Sequence, residues 1–415
     1  MNAAPKPKRQ RRPVPAALKA IAGLVVLAVA FIVAAILGGN GSEDSGPAPG
    51  AAAPTGGATR AEAPASETAA ELGYPAFATS NTTRVGGADP TSNAAGVALA
   101  TFPSTEPTLR PAAVTLVGED DWQGAIAASV LMAEPVGAPV LVSTSDGLPD
   151  PTADAFSALD PQGRKETRGA GAFAVGDVDT GGAAQVTRVK LGDPAATAAA
   201  IAALRDRLFG KPPAHVVVAP AQDPGFAMPA AAWAARSGDP VLFAERDALP
   251  KPTAAVLRRH PEVPVYVLGP SSAISSKVVR RIARIDGRVR RVSGEDPVAN
   301  AIALARYDDG NFGWNVNDPG HGFVVARADS PLDAAAAAPL SASGTWGPLL
   351  LTDSADTLPA ALRGYLLDVK PGYTTDPTRA FYNHVWVIGD QEAIDVNQQA
   401  EIDNLAELAK IGETP

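Results

Sequence analysis

The stretch TRVGGADPTSNAAGVALA (residues 83–100) decides the fold, because similar copies of it occur at three places in the chain. It returns as TRVKLGDPAATAAAIAAL (187–204) and as RRVSGEDPVANAIALA (290–305), and we call each copy a phrase. Arg84, Arg188 and Arg291 hold the same place, so the phrases are offset by 188 − 84 = 104 and 291 − 188 = 103 residues. Solenoid repeats have periods of about 20–50 residues, so this period indicates a whole small domain.

Each phrase predicts a strand, a loop and a capped helix. Asp89, Asp193 and Asp296 stand five residues after the arginines, and each is followed by proline. An aspartate accepts hydrogen bonds from the exposed N–H groups of a first helical turn, and proline at the next position sacrifices no bond. We expect the three aspartates to cap helices. The arginine of each phrase either pairs with a carboxylate or lines an anion-binding groove between repeats.

Short apolar runs follow each phrase in a constant order. Strands are predicted at 112–118, 139–144 and 171–176, at 215–220, 240–245 and 263–269, and at 322–328, 348–353 and 384–389. Helices are predicted between them, near 122–134, 151–159, 226–237, 252–260, 331–343 and 359–369. Continuous apolar strands that alternate with helices are typical of a parallel sheet covered on both faces. The sequence therefore predicts an α/β protein of three tandem layered domains with mainly parallel sheets, over 80–184, 185–287 and 288–415.

The residues before the first phrase predict a membrane anchor and a spacer. A basic tip (1–19) precedes an uncharged apolar run (20–38), which is long enough to cross a bilayer as a helix. Its basic flank predicts a cytoplasmic N-terminus and places the rest of the chain outside the cell membrane, in the envelope. A cleaved signal peptide is the alternative. The segment 39–79 is rich in Ala, Pro and Gly and is expected to be a disordered linker.

Composition and motifs exclude several classes of function. The chain has no cysteine, which excludes disulfides and thiolate zinc sites. Six cations in the tip leave −9 − 6 = −15 on the remainder, so nucleic acid is not an expected partner. His215, His260, His321 and His384 fall singly, without zinc-ligand spacing, and the sequence carries no nucleophile elbow or phosphate loop. We expect no catalytic residue, no metal and no cofactor, and we interpret His215 and His384 as structural.

Acidic residues follow the first apolar strand of each set. The cluster 119–121 precedes Trp122, and Asp223, Asp329 and Asp333 hold matching places in the later sets. Acidic loops and a packed tryptophan are common features of globular proteins. A sugar site or a divalent-cation site at this edge of the sheets is the alternative hypothesis.

The largest cluster of cations lies in KVVRRIARIDGRVRRV (277–292). A continuous helix would place five of these cations on one face: Lys277, Arg280, Arg281, Arg284 and Arg288. Such a face binds an anionic polymer, or it is a solvated surface that pairs with acids of a neighbouring repeat.

The ordered motifs resemble those of the type-2 cell-wall-binding repeat family, which occurs in clostridial surface-layer proteins and in modifiers of wall amidases. The resemblance runs from about 83 to 411 and joins the phrase to a Pro-x-Leu strand at 139–142, 240–243 and 348–351. A closing turn follows at 269–275 and 389–395, whereas the first copy lacks it. The family's aspartate at the next helix start is present only as Asp333, where Gly124 and Phe226 stand in the other copies.

The resemblance implies three repeats packed with pseudo-threefold symmetry that bind an anionic cell-wall polymer or glycan without covalent linkage. Eight residues are the polymer-binding candidates: Arg84, Arg188, Arg280, Arg281, Arg284, Arg288, Arg291 and Asp333. A scaffold that binds an envelope protein, such as a wall hydrolase or a division complex, is the second hypothesis. A cryptic hydrolase is the third.

Overall fold

The structure, a computed structural model, describes residues 77–343 and 347–411. The predicted basic tip (1–19), the predicted membrane span (20–38) and almost all of the predicted linker (39–79) lie outside these residues. Within the described ranges, no helix has both the length and the apolar character needed to cross a membrane.

The strands are short, and the inner strands of the three sheets are mostly buried. In chain order they are β1 (Phe77–Ala78), β2 (Thr82–Val85), β3 (Val114–Gly118), β4 (Val140–Ser143), β5 (Ala172–Val175), β6 (Val186–Val189), β7 (Val216–Pro220), β8 (Val241–Ala244), β9 (Val265–Leu268), β10 (Val289–Val292), β11 (Gly322–Arg327), β12 (Leu349–Thr352), β13 (Gly372–Tyr373), β14 (His384–Ile388) and β15 (Ala409–Lys410).

Helices alternate with these strands. They are α1 (Pro90–Thr101), α2 (Trp122–Ala128), α3 (Asp150–Leu159), α4 (Pro194–Phe209), α5 (Pro224–Ala227), α6 (Pro229–Ser237), α7 (Lys251–Arg259), α8 (Ser276–Ala283), α9 (Pro297–Arg306), α10 (Pro331–Ala342), α11 (Ala360–Asp368) and α12 (Val396–Ala406). Short 3₁₀ turns lie at Pro107–Leu109, Ser129–Met132, Lys165–Thr167 and Pro377–Arg379. The alternation confirms the predicted α/β class.

Three sheets share one strand order and are parallel, apart from β1. Sheet I has the order β4-β3-β5-β6, and sheet II has the order β8-β7-β9-β10. Sheet III has the order β12-β11-β14-β2, with β1 added antiparallel at its edge. A separate pair, β13 and β15, lies near the end of the chain. Several mainly parallel sheets are therefore present, as the apolar runs predict.

Each phrase joins two sheets. Its strand is the last strand of one sheet, whereas its helix packs on the next sheet. For the second phrase, β6 completes sheet I and α4 packs against β8 of sheet II; for the third, β10 completes sheet II and α9 packs against β12 of sheet III. The predicted boundaries at 184/185 and 287/288 fall just before strands that belong to the preceding sheet.

The first phrase connects the two ends of the described chain. Strand β2 pairs with β14, some three hundred residues later, and completes sheet III. Helix α1 of the same phrase packs against β4 of sheet I and against α10. The three phrases therefore link the sheets in a closed order, III to I, I to II and II to III.

Alanine-rich helices form the centre of the packing. Helices α2, α6 and α10 occupy the same place in sheets I, II and III, and all three contact one another. The run Ala334–Ala338 of α10 and the run Ala230–Ala232 of α6 are at most 1% exposed. Small side chains allow close approach of helix axes, which explains how three helices share one interior.

Candidate functional site

The three phrase arginines occupy one register position in their sheets. Each lies on the last strand, opposite the penultimate residue of the neighbouring strand. Each side chain donates a hydrogen bond to the carbonyl of the glycine that ends that neighbouring strand. These glycines are Gly389 for Arg84, Gly176 for Arg188 and Gly269 for Arg291.

The three glycines adopt the left-handed backbone region, with φ of 95°, 86° and 91° for Gly389, Gly176 and Gly269. This conformation turns the chain sharply away from the strand. The arginine then donates to a second carbonyl inside the turn, that of Ile394, Val178 or Ile274. We call this arrangement the arginine clamp.

Arg84 is the most deeply buried of the three and is 2% exposed. Its Nη1 donates to the Gly389 carbonyl at 2.9 Å, its Nη2 to the Ile394 carbonyl at 2.6 Å and its Nε to Oε1 of Gln399 at 3.0 Å. Burial lowers the pKa of Arg84 to about 10, against the opposing influence of the Asp390 and Asp395 carboxylates. This side chain has almost no surface with which to contact a polymer, and we assign it a structural role.

The other two clamps are more open. Arg188 is exposed, and its Nη1 reaches the carbonyls of Gly176 at 3.4 Å and Val178 at 3.1 Å. Arg291 is half-buried, and burial lowers its pKa. Of the three clamp arginines, only Arg188 presents substantial side-chain surface to solvent.

The three phrase aspartates lie at helix N-caps. Asp89 accepts from the backbone N–H of Ser92 at 2.9 Å. Asp193 and Asp296 make the same bond at 2.8 Å and 2.7 Å, to the residue three positions later. Each carboxylate therefore satisfies one of the free N–H groups of its helix.

Asp333 lies in the contact between the first phrase and sheet III. It is 3% exposed, in the first turn of α10, and accepts from Nδ2 of Asn93 at 2.8 Å. Burial raises the pKa of Asp333, and the carboxylates of Asp89 and Asp329 raise it further, whereas hydrogen bonds from Asn93 and Ser330 act in the opposite direction. This aspartate therefore contributes to a seam between elements rather than to an accessible surface.

Helix α8 presents a row of free cations. Val278 and Ile282 are buried and attach the helix to its sheet. The opposite side, which we call the basic face, carries Lys277, Arg280, Arg281 and Arg284, all exposed. None of these four side chains has an ion-pair or hydrogen-bond partner in the described part of the chain. The predicted pairing with acids of a neighbouring repeat is thus not seen there.

Arg288 lies apart from the basic face. The sequence pattern predicts a helix that runs through 288, but α8 ends at Ala283 and Arg284 is its C-cap. The turn that follows includes Gly287, which weakens a helix, and Arg288 leads directly into β10. Its side chain is exposed and also has no partner among the described residues.

Among the acidic residues after the first strands, Asp121 has a structural role. Asp121 caps α2 through the N–H of Gly124 at 2.8 Å, and burial raises its pKa. Trp122 packs edge to face on Phe243 of sheet II, with ring centroids 5.8 Å apart. No group of three or more His, Cys, Asp or Glu side chains suited to a metal ion occurs in residues 77–343 and 347–411.

The four histidines each contact a polar side chain, and His384 also donates its backbone N–H to the carbonyl of His321 at 3.1 Å. His260 contacts Asp206, His321 contacts Asp318, and His384 contacts Thr83. Nδ1 of His215 lies 2.9 Å from Oδ2 of Asp239. Burial lowers the pKa of His384.

The sequence pattern does not reveal one feature, a cleft of about 780 Å³ at the amino ends of the sheet II strands. Ten residues line it: Ala214, His215, Pro264, Tyr266, Gly287, Arg288, Val289, Arg290, Asp309 and Asn311. Part of its wall comes from the segment after α9, which is far in sequence from β7 and β9. The one available signal was the dense set of aromatic residues between 307 and 314.

Comparison with known proteins identifies relatives of this fold. The family model described as Cell wall binding domain 2 (CWB2) matches residues 188–279 and 291–398. The matched segments begin at Arg188 and Arg291, the clamp arginines of the second and third phrases. The first phrase and sheet I, apart from β6, lie outside them. No curated protein sequence matches the chain.

Two solved structures have a similar fold. Cwp8 from Clostridium difficile matches with a TM-score of 0.60 and 20% identity, over 79% of this chain and 52% of that one. Cwp6 from Clostridium difficile matches with a TM-score of 0.61 and 20% identity, over 79% of this chain and 47% of that one. This chain therefore spans about half the length of each.

The first prediction concerns the arginine clamp. Replacing Arg84 with Ala leaves buried carbonyls and Gln399 without their donor, and we expect a loss of about 3 kcal/mol in unfolding free energy. Replacing Arg188 with Ala removes an exposed clamp and should cost less than about 1 kcal/mol. Chemical denaturation of the two variants measures the difference. Equal losses would contradict a structural role specific to Arg84.

The second prediction concerns Asp333. A carboxyl whose pKa is raised in the folded state binds more protons there than in the unfolded state, so its contribution to stability falls as pH rises through the folded pKa. Asp333→Asn keeps an acceptor for Asn93 and removes the buried charge. We expect a gain of about 1 kcal/mol near pH 7 that shrinks as pH falls toward the ordinary value of about 4.

Thermal melts at pH 7 and pH 5 test this expectation. The matched control is Asp368→Asn, which alters a largely exposed carboxylate that is paired with Arg306 and is not among the groups that shift Asp333. Because that ion pair is exposed, the control should shift stability by less than about 0.5 kcal/mol. A loss of stability in Asp333→Asn at pH 7 would show that the charged form is the stabilising one.

Proposed function

We propose that this chain, which belongs to the Cell wall binding domain 2 family through residues 188–279 and 291–398, binds an anionic polymer or glycan of the bacterial cell wall without covalent linkage. The family supports an extracytoplasmic place in the cell envelope. The proposal includes retention at the cytoplasmic membrane through residues 20–38. It also includes the absence of catalysis by the chain itself.

The unpaired basic face of α8 carries this proposal. Several other cations among the described residues form ion pairs with carboxylates, as Arg110 does with Asp160 and Arg306 with Asp368. Four exposed cations on one short helix, without a carboxylate partner there, form a local positive surface on a chain of net charge −9. Such a surface attracts a polyanion and is sensitive to salt.

The helix itself favours cations at this place. Arg280, Arg281 and Arg284 lie in or next to the last turn of α8, where the helix dipole presents its negative end. The dipole stabilises these charges on the folded protein. These cations can still bind an anionic ligand, because each guanidinium group keeps several N–H donors that the helix does not use.

The proposed architecture is three repeats with pseudo-threefold symmetry, over 80–184, 185–287 and 288–415. The shared strand order of sheets I to III and the mutual contacts of α2, α6 and α10 support it. In this architecture the outer helices face the surroundings. Helix α8 belongs to this outer set, because it connects β9 to the edge strand β10.

Binding of an envelope protein is the second candidate function. Phe381 and Tyr382 are 70% and 57% exposed, in a segment that precedes β14. Adjacent exposed aromatic residues are typical of protein contact surfaces. Crosslinking in intact cells, with Phe381→Ser as the comparison, tests this candidate: a protein adduct that the variant loses supports it.

The third prediction tests polymer binding. Purified full-length chain should sediment with isolated cell walls at low salt and be released as the salt concentration rises. The variant Arg280→Gln, Arg281→Gln and Arg284→Gln should bind at least about fivefold more weakly, because it removes three unpaired cations. Pelleting at graded salt concentrations measures both effects.

A charge-matched control separates local binding from net charge. Lys211, Arg379 and Lys410 are exposed, their side chains have no partner among the described residues, and they belong to elements other than α8. Replacing all three with Gln changes the net charge equally and should leave sedimentation nearly unchanged. No sedimentation at low salt would overturn the proposed function. An equal loss in both variants would remove α8 as the binding surface.

A further inference from the structure

The cleft of sheet II is built by a segment from beyond that sheet. After α9, the chain folds back across the amino ends of β7 and β9, and Phe312 enters the core. Its ring stacks on Tyr266 with centroids 3.7 Å apart and an interplanar angle of 6°. It also packs against Trp233. This aromatic contact holds the returning segment in place and leaves an open space beside it, about 780 Å³ in volume.

Asp309 fixes the rim of the cleft. One carboxylate oxygen accepts from the backbone N–H groups of Asn311 and Phe312, at 3.2 Å and 3.1 Å. The other accepts from the hydroxyl of Tyr266 and from Nη1 of Arg290. The hydroxyl of Tyr266 is thereby occupied, and Arg290 is oriented by Asp309 and by a side-chain contact with Tyr307.

His215 brings a buried polar atom to the cleft wall. The residue is 7% exposed, and Nδ1 faces Oδ2 of Asp239 at 2.9 Å. Asp239 also accepts from Nε1 of Trp233 at 3.0 Å, so both the carboxylate and the ring are held firmly. A carboxylate at Nδ1 places a proton on that nitrogen, and in the neutral imidazole this tautomer has Nε2 as the acceptor. Nε2 has no partner among the described residues.

The strand order of the sheets does not require these side chains. Sheets I and III have Ala113 and Gly322 at the register position of His215. They have Thr187 and Thr83 at the position of Arg290, and Gln185 and Asn81 at the position of Arg288. The same strand order therefore forms without the imidazole and without either cation. Their coincidence at one cleft indicates a ligand.

We propose that this cleft binds an acidic sugar, a saccharide unit that carries a phosphate or a carboxylate group. Arg288 and Arg290 would receive the anion, and Nε2 of His215 would accept a hydrogen bond from a sugar hydroxyl. This inference rests on the proposed function for its ligand class, because an anionic wall polymer is composed of such units. The cleft is a second element of recognition, distinct from the basic face of α8.

The arrangement suits this class better than a simple anion or a neutral sugar. Guanidinium groups bind phosphate and carboxylate through paired, charge-assisted hydrogen bonds. A neutral imidazole acceptor offers nothing to a fully deprotonated anion, whereas it fits a hydroxyl donor. The volume lies in the range of small-molecule pockets, about 300–1,000 Å³, and is sufficient for one or two sugar units.

The fourth prediction follows from this geometry. The chain has four histidines, so the imidazole Hε1 signal of His215 can be resolved by NMR in the full-length protein. A hexose phosphate and a uronic acid should each shift this signal in a saturable manner. A neutral hexose should not shift it, and inorganic phosphate should bind at least about fivefold more weakly than the hexose phosphate, because it has no sugar ring to place a hydroxyl at His215 while the phosphate contacts the arginines.

Variants locate the binding in the cleft. Arg288→Gln alters an exposed side chain without a protein partner and should weaken binding about tenfold, the value of one charge-assisted hydrogen bond. Arg258→Gln is the control, because it removes an exposed cation of α7 that does not line the cleft. It should leave the dissociation constant unchanged. Thermal melts confirm that both variants are folded.

The outcomes separate this inference from the proposed function. Wall sedimentation without any shift at His215 would overturn the cleft and leave polymer binding intact. A saturable shift without wall sedimentation would support the cleft and overturn the wall proposal. Inorganic phosphate that binds as tightly as the sugar phosphate, or equal weakening by Arg288→Gln and Arg258→Gln, would overturn the acidic-sugar site.

Discussion

The arginine clamp is the interaction on which the closed order of the sheets depends. Each parallel sheet is completed by a strand that belongs, by sequence, to the start of the next unit. Only four residues of that strand pair with its neighbour, and the backbone hydrogen bonds of so short a ladder contribute little stability. The arginine stabilises the pairing further, because its guanidinium donates to carbonyls of the turn after the neighbouring strand, and these carbonyls have no partner in the ladder. Since the helix of the same phrase packs on the following sheet, each clamp couples two sheets at once.

The three clamps differ in the sequence separation of the elements that they join. Two of them join elements that are near in sequence, and the chain itself limits how far those elements separate. The clamp of Arg84 joins β2 to β14 and to the turn before α12, across more than three hundred residues. Closing such a loop carries a larger entropic cost. The deepest burial and the most complete hydrogen bonding occur at this clamp, where the connection is least supported by the chain. The seam between Asn93 and Asp333 lies beside it and adds a second contact between the same elements.

Sequence patterns could predict the elements but not their partners. Apolar runs predicted nine strands, namely β3, β4, β5, β7, β8, β9, β11, β12 and β14, because burial on both faces leaves a local pattern in the sequence. Asp-Pro pairs predicted helix starts, because capping is also a local interaction. Strand β13 has no such pattern and was not predicted. The sheet that β2 joins depends on contacts with residues some three hundred positions later, and the similar sequences of the three phrases do not indicate this difference. The same limit applies to side chains. Arg84 and Arg188 occupy equivalent positions in sequence, yet their exposure differs because the turn after Gly176 lacks the closing motif found after Gly389. The cleft could not be predicted from the sequence for the same reason, since Tyr266 and Phe312 come into contact only in the folded chain.

Repetition of one unit separates what the fold needs from what a ligand needs. Positions with the same role in all three sheets, such as the clamp arginines and the capping aspartates, keep the same residue type, and their contacts are internal. Positions where one sheet differs from the other two are free of that demand. The basic face of α8 and the cleft residues His215, Arg288 and Arg290 belong to this second class, and both lie on sheet II or on the helix that covers it. The family match includes α8 and most of sheet II, whereas it omits most of sheet I. We therefore expect ligand binding to involve mainly sheet II and α8. The first phrase and sheets I and III support this unit through the closed order of contacts between the sheets.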